Sequence, residues 1–165
     1  MFFTRKANQS DVSDIAHIHF ESWHATYSSL LPETYRDKEN NLSQKIEMWE
    51  KVLPTTDVHT WIACDSEDTT VGFISYFKKD HKCEITTLYL LPQYQHLGIG
   101  TKLMNSALND ASQCNSCSSL FLWVLKTNLS AISFYEKFGF ESDGQCDEEL
   151  YKGAKIIDMR MVKPL

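Results

Sequence analysis

The chain has 165 residues, of which 42% are hydrophobic, and its 22 acidic and 16 basic side chains give a formal net charge of −6. This length fits a single domain over residues 1–165, and the absence of a run of 18 apolar residues excludes a membrane-spanning helix. The acidic balance argues against a general affinity for nucleic acid, because only Lys78, Lys79 and Lys82 lie close together.

The N-terminus and the cysteines predict a reduced, cytoplasmic protein. No apolar signal segment follows Met1, and the five cysteines are an odd number. Cys114 and Cys117 have the spacing of a redox or zinc pair, but no second Cys or His pair follows at metal-site distance. We therefore predict no metal site and no membrane partner.

The first half of the chain predicts a strand, two helices and a β-hairpin. Residues 2–7 read as the strand, and Ser10 with Asp11 reads as the N-cap of the first helix. The second helix is predicted from Ser43 to just before Pro54. The β-rich runs 58–64 and 70–78, joined by a charged turn, predict the hairpin.

The middle of the chain predicts a strand, a glycine turn and a helix. An apolar run over 85–91 stops at Pro92, Gly98 and Gly100 follow, and apolar residues at helical spacing then continue to about Cys114. The first turn of a helix has backbone N–H groups without partners and carries partial positive charge. Small residues there let an anion approach the amides, so we predict a phosphate-bearing ligand.

The last third predicts a strand, a helix and a final pair of strands. The continuous apolar run over 119–125 is typical of a strand buried on both faces, parallel to the preceding one across the helical crossover. Asn128 is predicted to cap a short helix that ends at Gly139. Residues 148–161 predict two strands around a turn at 152–154.

The glycine turn fits neither of two common nucleotide-binding loops. A triphosphatase loop needs Gly-Lys-Ser or Gly-Lys-Thr, whereas Thr101 precedes Lys102 here. The dinucleotide fingerprint needs a third glycine at the position of Leu103.

The turn instead resembles the cofactor motif of the GNAT superfamily, the acetyl-CoA-dependent N-acetyltransferases. The signature of that motif is Arg or Gln, two residues, Gly, one residue, then Gly or Ala, and Gln95-His96-Leu97-Gly98-Ile99-Gly100 matches it. A second family signature, with Asn, Ala, Phe-Tyr-Glu-Lys and Gly-Phe, matches residues 128–140. In the front segment, Ser22-Trp23 and Thr26-Tyr27 match a pattern seen in a subset of these enzymes.

The resemblance covers nearly the whole chain and implies both fold and activity. The implied fold is α/β (α+β), with a mostly antiparallel mixed sheet of six to seven strands, splayed between the fourth and fifth, and about four flanking helices. The implied enzyme is an acyltransferase that moves an acetyl group from acetyl-CoA to a primary amine by direct attack in a ternary complex. A non-catalytic acyl-CoA-binding module or sensor on the same fold is the alternative.

The resemblance also implies where acetyl-CoA would bind. Its pyrophosphate would contact the amides of 95–101, and its pantetheine arm would pair with the strand like an added strand, where a backbone N–H near Leu90 could polarise the thioester carbonyl. The expected cofactor-binding residues are Leu88, Tyr89, Leu90, Gln95, His96, Leu97, Gly98, Ile99, Gly100, Thr101, Asn128 and Tyr135.

Proton transfer and acceptor binding are assigned to five side chains. Tyr135 is expected to protonate the departing CoA thiolate. Glu84, or a water chain that a carboxylate holds, is expected to deprotonate the amine. Trp23, Tyr27 and Glu21 are expected to attract the ammonium through aromatic and charge contacts.

The expected partner is a small-molecule or peptide amine. No nucleic acid is expected. The sequence leaves the identity of the amine open, and a homodimer paired through edge strands also stays open.

Overall fold

A computed structural model describes residues 1–113 and 117–165, and its centre is a seven-stranded sheet. The strand order is β1-β2-β3-β4-β5-β7-β6. The strands are β1 (Phe3–Lys6), β2 (Val58–Cys64), β3 (Thr70–Lys79), β4 (Lys82–Leu90), β5 (Ser119–Leu125), β6 (Glu141–Tyr151) and β7 (Ala154–Pro164). All neighbouring strands are antiparallel except β4 and β5. The mixed, mostly antiparallel sheet predicted from the sequence is confirmed.

The described residues also form five α-helices, which lie around this sheet. They are α1 (Val12–Tyr27), α2 (Glu33–Glu39), α3 (Leu42–Val52), α4 (Ile99–Ser112) and α5 (Leu129–Glu136). Buried side chains of α1 and α3 pack on β2 and β3 on one face, and those of α4 pack on β3, β4 and β5 on the other. Within the described residues, none of these helices has the length and apolar character needed to cross a membrane.

The sheet opens between its fourth and fifth strands. β4 and β5 pair in parallel at Glu84 with Phe121 and at Ile85 with Leu122. The register ends there, while β4 continues to Leu90 and β5 to Leu125. The predicted parallel crossover and the predicted splay are therefore both present.

The front of the chain differs from the prediction in its helices. α2 was not predicted, because it buries none of its side chains and so leaves no apolar period in the sequence. Asp11 stands at the N-cap of α1 as predicted, but its side chain makes no cap bond to that helix and instead belongs to a capping box with Asn8. The Asn8 side chain accepts a hydrogen bond from the Ser10 N–H at 2.9 Å, and the Asp11 carboxylate accepts one from the Asn8 N–H at 2.8 Å.

Two strands also differ from the prediction. β5 is not buried on both faces, since Trp123 is 38% exposed, whereas Leu120 and Leu122 on the opposite face are fully buried. The sequence of β5 does not reveal this alternation, because all of its central residues are apolar.

β6 begins at Glu141 instead of 148, because its exposed polar side chains give no apolar alternation. The Cys114 end of the predicted α4 lies outside the described residues, and Cys117 is buried.

Candidate active site

A cavity of about 610 Å³ opens where β4 and β5 separate. The C-terminal part of α1, β4, the glycine turn, β5 and α5 all contribute to its wall. Most of the predicted cofactor residues line it: Leu88, Tyr89, Leu90, Gln95, His96, Gly98, Gly100, Thr101, Asn128 and Tyr135. Leu97 is 56% exposed outside the wall, and Ile99 is 1% exposed in the core, so these two could contact a ligand there only through their backbone.

One wall of the cavity is the edge of β4 that β5 leaves free. The carbonyl oxygen of Leu90 accepts a hydrogen bond from the Ser22 hydroxyl at 2.9 Å, which ties the end of β4 to α1. The Gln95 side-chain amide also donates to this oxygen at 3.5 Å. An extended ligand could pair with the free edge as an additional strand does.

The glycine turn presents the N-terminus of α4 to the same cavity. Gly98 has a φ of +77° and precedes the first helical residue, so no side chain caps the helix there. A Cβ at Gly100 would lie 3.4 Å from Phe134 and 3.5 Å from Leu90. A Cβ at Gly98, in contrast, would meet no atom within 4 Å, so the amides at the start of α4, which carry partial positive charge, lie beside open space that suits a phosphate group.

Three tyrosines meet deep in the cavity: Tyr27 of α1, Tyr89 of β4 and Tyr135 of α5. Burial raises the pKa of all three phenols, and the Tyr27 and Tyr89 hydroxyls interact with each other. Within the described chain the Tyr135 hydroxyl has no hydrogen-bond partner. Tyr135 is therefore a protonated phenol at neutral pH whose proton is free for a ligand.

The sequence profile of the acetyltransferase (GNAT) family matches residues 15–140. This match spans the cavity wall from α1 to α5. The chain belongs to the GNAT family. The acyltransferase class predicted from the sequence is thereby confirmed.

Individual relatives agree with the family assignment. The uncharacterized N-acetyltransferase YuaI of Bacillus subtilis is 30% identical over 99% of this chain and 94% of its own length. N-alpha-acetyltransferase 50 of Danio rerio is 31% identical over 68% of this chain and 62% of its own length. The crystal structure of PaiA N-acetyltransferase from Thermoplasma acidophilum in complex with coenzyme A superposes with a TM-score of 0.77 at 25% identity, covering 100% of this chain and 99% of that one.

The GNAT cavity includes one of the three predicted acceptor residues. Tyr27 lines it, and the Trp23 ring packs on Tyr27 with centroids 4.8 Å apart but lies outside the wall. The Lys45 ammonium lies 5.7 Å from the Trp23 ring centroid, so the protein's own cation faces this ring. Glu21 lies in a separate depression beside Asp14, because six residues along a helix separate it from Tyr27 and turn it to another side.

The predicted base Glu84 lies at the closed end of the split. It pairs with Phe121 across the parallel ladder and with Phe77 on β3, and it is half-buried outside the cavity wall. Burial raises its pKa, an effect that Lys82 partly offsets. A proton could reach Glu84 from the cavity only through an intermediate group, so its role as base stays a prediction.

Sequence reasoning missed two residues beside the cavity. His19 stacks on Tyr89 with ring centroids 5.0 Å apart and accepts a hydrogen bond from the Trp49 indole N–H at 3.1 Å. Burial, with the Lys45 ammonium nearby, lowers the pKa of His19 to about 3, so the ring stays neutral and holds Tyr89 in place. Thr87 lines the cavity with an unpaired hydroxyl.

Proposed function

We propose that this chain transfers the acetyl group of acetyl-CoA to a primary amine by direct attack in a ternary complex. The observation that carries the proposal is the free Tyr135 hydroxyl in a cavity bounded by the open β4 edge and the bare N-terminus of α4. Family membership supplies the reaction class, and the cavity supplies a place for a thioester, an acceptor and an acid.

The cavity's shape supports acetyl-CoA as the acyl donor. The pantetheine arm would pair with the free edge of β4 at 88–90, and the pyrophosphate would accept hydrogen bonds from the amides at the start of α4. Asn128 lines the cavity, and its side-chain oxygen accepts a hydrogen bond from the Ala131 N–H; we propose that its NH2 group donates to the pantetheine arm. PaiA N-acetyltransferase, which superposes on this chain, binds coenzyme A.

The chemistry needs one new bond, one broken bond and two proton transfers. The amine nitrogen forms a C–N bond with the acetyl carbonyl carbon, and the C–S bond breaks with its electron pair on sulfur. Tyr135 gives its proton to that sulfur. The raised pKa of Tyr135 keeps the phenol protonated until the thiolate forms.

The acceptor must also lose a proton before it attacks. A lysine-like amine has a pKa near 10.4, so the neutral form costs about 4–5 kcal/mol at pH 7. Glu84 is the proposed base, acting through an intermediate group. Its raised pKa brings it closer to that of the amine and makes it a better proton acceptor than an ordinary carboxylate.

Charges beside the cavity favour a cationic acceptor. Asp158 of β7 pairs with Asp147 of β6, and both like charge and burial raise the pKa of Asp158. Its charge also acts on Tyr27, which lines the cavity, and Glu149 accepts a hydrogen bond from the Tyr35 hydroxyl at 3.0 Å. These carboxylates would attract the cationic amino group of a polyamine, a lysine or a peptide.

The predicted cytoplasmic location and homodimer stay predictions.

The test combines titration calorimetry with a thiol-release assay. Acetyl-CoA is titrated into the protein, and CoA release is followed with a disulfide reagent while spermidine, lysine and a short peptide with a free N-terminus are offered in turn. We expect acetyl-CoA binding and thiol release with at least one amine. Binding without thiol release for any of them would favour the acyl-CoA sensor, and no binding would reject both.

A further inference from the structure

Thr87 is an unusual polar residue of the cavity wall. Its hydroxyl oxygen is buried and has no hydrogen-bond partner, although the residue lines the cavity. The neighbouring Thr86 is different, because its hydroxyl donates to the carbonyl oxygen of Ser75 at 3.2 Å. Folded proteins pair nearly all buried hydroxyls, so an unpaired one at a ligand cavity indicates a partner that binds there.

A β-bulge sets the direction of Thr87. Ser75 pairs with Thr87, whereas Tyr76 pairs with Ile85, so Thr86 is the extra residue in β4. Phe77 pairs with Glu84 before the bulge. Residues three apart in a regular strand point to opposite faces, but the extra residue returns Thr87 to the face of Glu84.

That face is the one that α1 covers. Phe73, two residues before Ser75 on β3, packs with the buried side chains of α1 and α3, and Tyr89 packs beside it. Thr87 therefore shares a face with Tyr89 and lies between it and Glu84 along β4. Glu84 does not line the cavity but Thr87 does, so Thr87 is the hydroxyl-bearing residue of the wall that lies on the same face as Glu84.

We propose that the Thr87 hydroxyl relays the proton of the acceptor amine to Glu84, a role that rests on the proposed acetyl transfer. Rotation about χ1 exchanges the hydroxyl and methyl positions of a threonine, and no hydrogen bond holds the Thr87 hydroxyl where it is. Turned into the cavity, the oxygen takes a proton from the ammonium while its own proton passes through a water to the Glu84 carboxylate. The amine lone pair then forms the C–N bond, and Tyr135 protonates the departing sulfur. Glu84 returns its proton to solvent.

Thr87→Val and Thr87→Ser test the relay. Valine keeps the shape and the β-branching but removes the hydroxyl, whereas serine keeps the hydroxyl. We expect Thr87→Val to lower kcat at least about tenfold with the best amine of the panel, and Thr87→Ser to restore most of it. In a Glu84→Gln background, Thr87→Val should lower kcat little further, because both changes interrupt the same proton relay.

Thermal unfolding of the ligand-free protein separates this role from a structural one. Removing an unpaired buried hydroxyl should leave the Tm of Thr87→Val equal to or above that of the wild type. An unchanged kcat in Thr87→Val, or a loss that adds in full to that of Glu84→Gln, would overturn the relay. A loss of kcat in Thr87→Val that is accompanied by a lowered Tm would also overturn the relay, because destabilisation would then explain the loss. Wild-type protein that releases no thiol with any amine would instead overturn the proposed function, and the relay with it.

Discussion

Turnover should depend more on Tyr135 than on any other single side chain of the cavity. Of the three central tyrosines, Tyr27 and Tyr89 interact through their hydroxyls, whereas the Tyr135 hydroxyl makes no hydrogen bond to either of them. Burial is the main cause of its raised pKa, and the nearby Tyr27 adds to it. A group in this state can donate a proton but does not ionise by itself near neutral pH.

Tyr135→Phe should lower kcat about a hundredfold or more and leave the Kd for acetyl-CoA within about threefold, because the ring still fills its place and only the proton donor is lost. The thiol-release assay measures kcat, and calorimetry measures the Kd. Tyr94→Phe is the matched control, since its ring packs on Phe2 outside the cavity wall. Wild-type turnover in Tyr135→Phe would remove this residue from the mechanism.

Single residues show how far the sequence could predict the site. The place of Tyr135 in the cavity could be predicted because it is the hydroxyl-bearing member of an aromatic stripe, and that of Tyr27 because it follows a family pattern. Glu21 could not be excluded from its identity alone, since the direction of a helical side chain depends on how the helix packs. The bulge that orients Thr87 is indicated in the sequence, although it was not predicted. The apolar residues Ile85 and Leu88 are three apart, which breaks strand alternation and is typical of a bulge.

Among the elements, the start of α4 is the one whose backbone geometry bears most directly on the proposed phosphate binding. Gly98 adopts a left-handed φ of +77° and a Cβ there would meet no atom within 4 Å. A side chain at this position would therefore project into open space beside the amides instead of into the core. The backbone conformation alone would disfavour it by about 1 kcal/mol.

Gly98→Glu should abolish the stabilisation that acetyl-CoA gives, because a carboxylate beside the amides repels and displaces the pyrophosphate. Saturation of the wild type at about 100 times the Kd should raise the Tm by roughly 5–10 °C. Gly98→Ala is the control, since it has the same backbone strain without the charge and should keep most of the rise. Thermal melts with and without acetyl-CoA measure the difference. A Gly98→Glu protein that is still stabilised would contradict the phosphate assignment of this turn.

Most elements could be predicted where a strong apolar period meets a turn signal. The limits of β2 and β5 match the predicted ranges because charged or polar residues bound both runs. α2 and the first half of β6 could not be predicted, since neither buries a side chain against the sheet. Their position depends on contacts far along the chain, such as the T-shaped packing of Tyr35 on Tyr151.

For the whole molecule, an ion pair joins the first strand to the N-cap of the first helix, with the Asp11 side chain buried and the Arg5 side chain half-buried. The Arg5 guanidinium donates two hydrogen bonds to the Asp11 carboxylate, both at 2.9 Å, and Asp11 is 4% exposed. Burial alone would raise the pKa of Asp11. The bonds from Arg5 and from the Asn8 N–H outweigh burial and hold the pKa below its ordinary value of 3.8.

Asp11→Asn should lower stability at pH 7 by about 2–3 kcal/mol, which corresponds to a fall in Tm of roughly 5–10 °C. A lowered carboxyl pKa stabilises the fold above the ordinary pKa, and this contribution is lost as the pH falls through the folded value. The difference between the two proteins should therefore shrink below about pH 4. Thermal melts from pH 7 to pH 3 test this. Asp68→Asn is the control, because Asp68 is 67% exposed and should contribute less than about 0.5 kcal/mol. A difference that persists unchanged at pH 3 would contradict the ion-pair explanation.

The split sheet has a mechanical consequence. In the part of the chain that the structure describes, the ladder between β4 and β5 ends at the Ile85–Leu122 pair, and the buried side chains of both strands share one core with those of α4. Apolar contact has no preferred direction, whereas a hydrogen-bonded ladder does. We therefore expect that β1–β4 and β5–β7 can pivot slightly about the Glu84–Phe121 pair without losing a backbone hydrogen bond of the ladder. Such a pivot would change the width of the gap, and with it the size of the acyl group that the proposed donor site accepts.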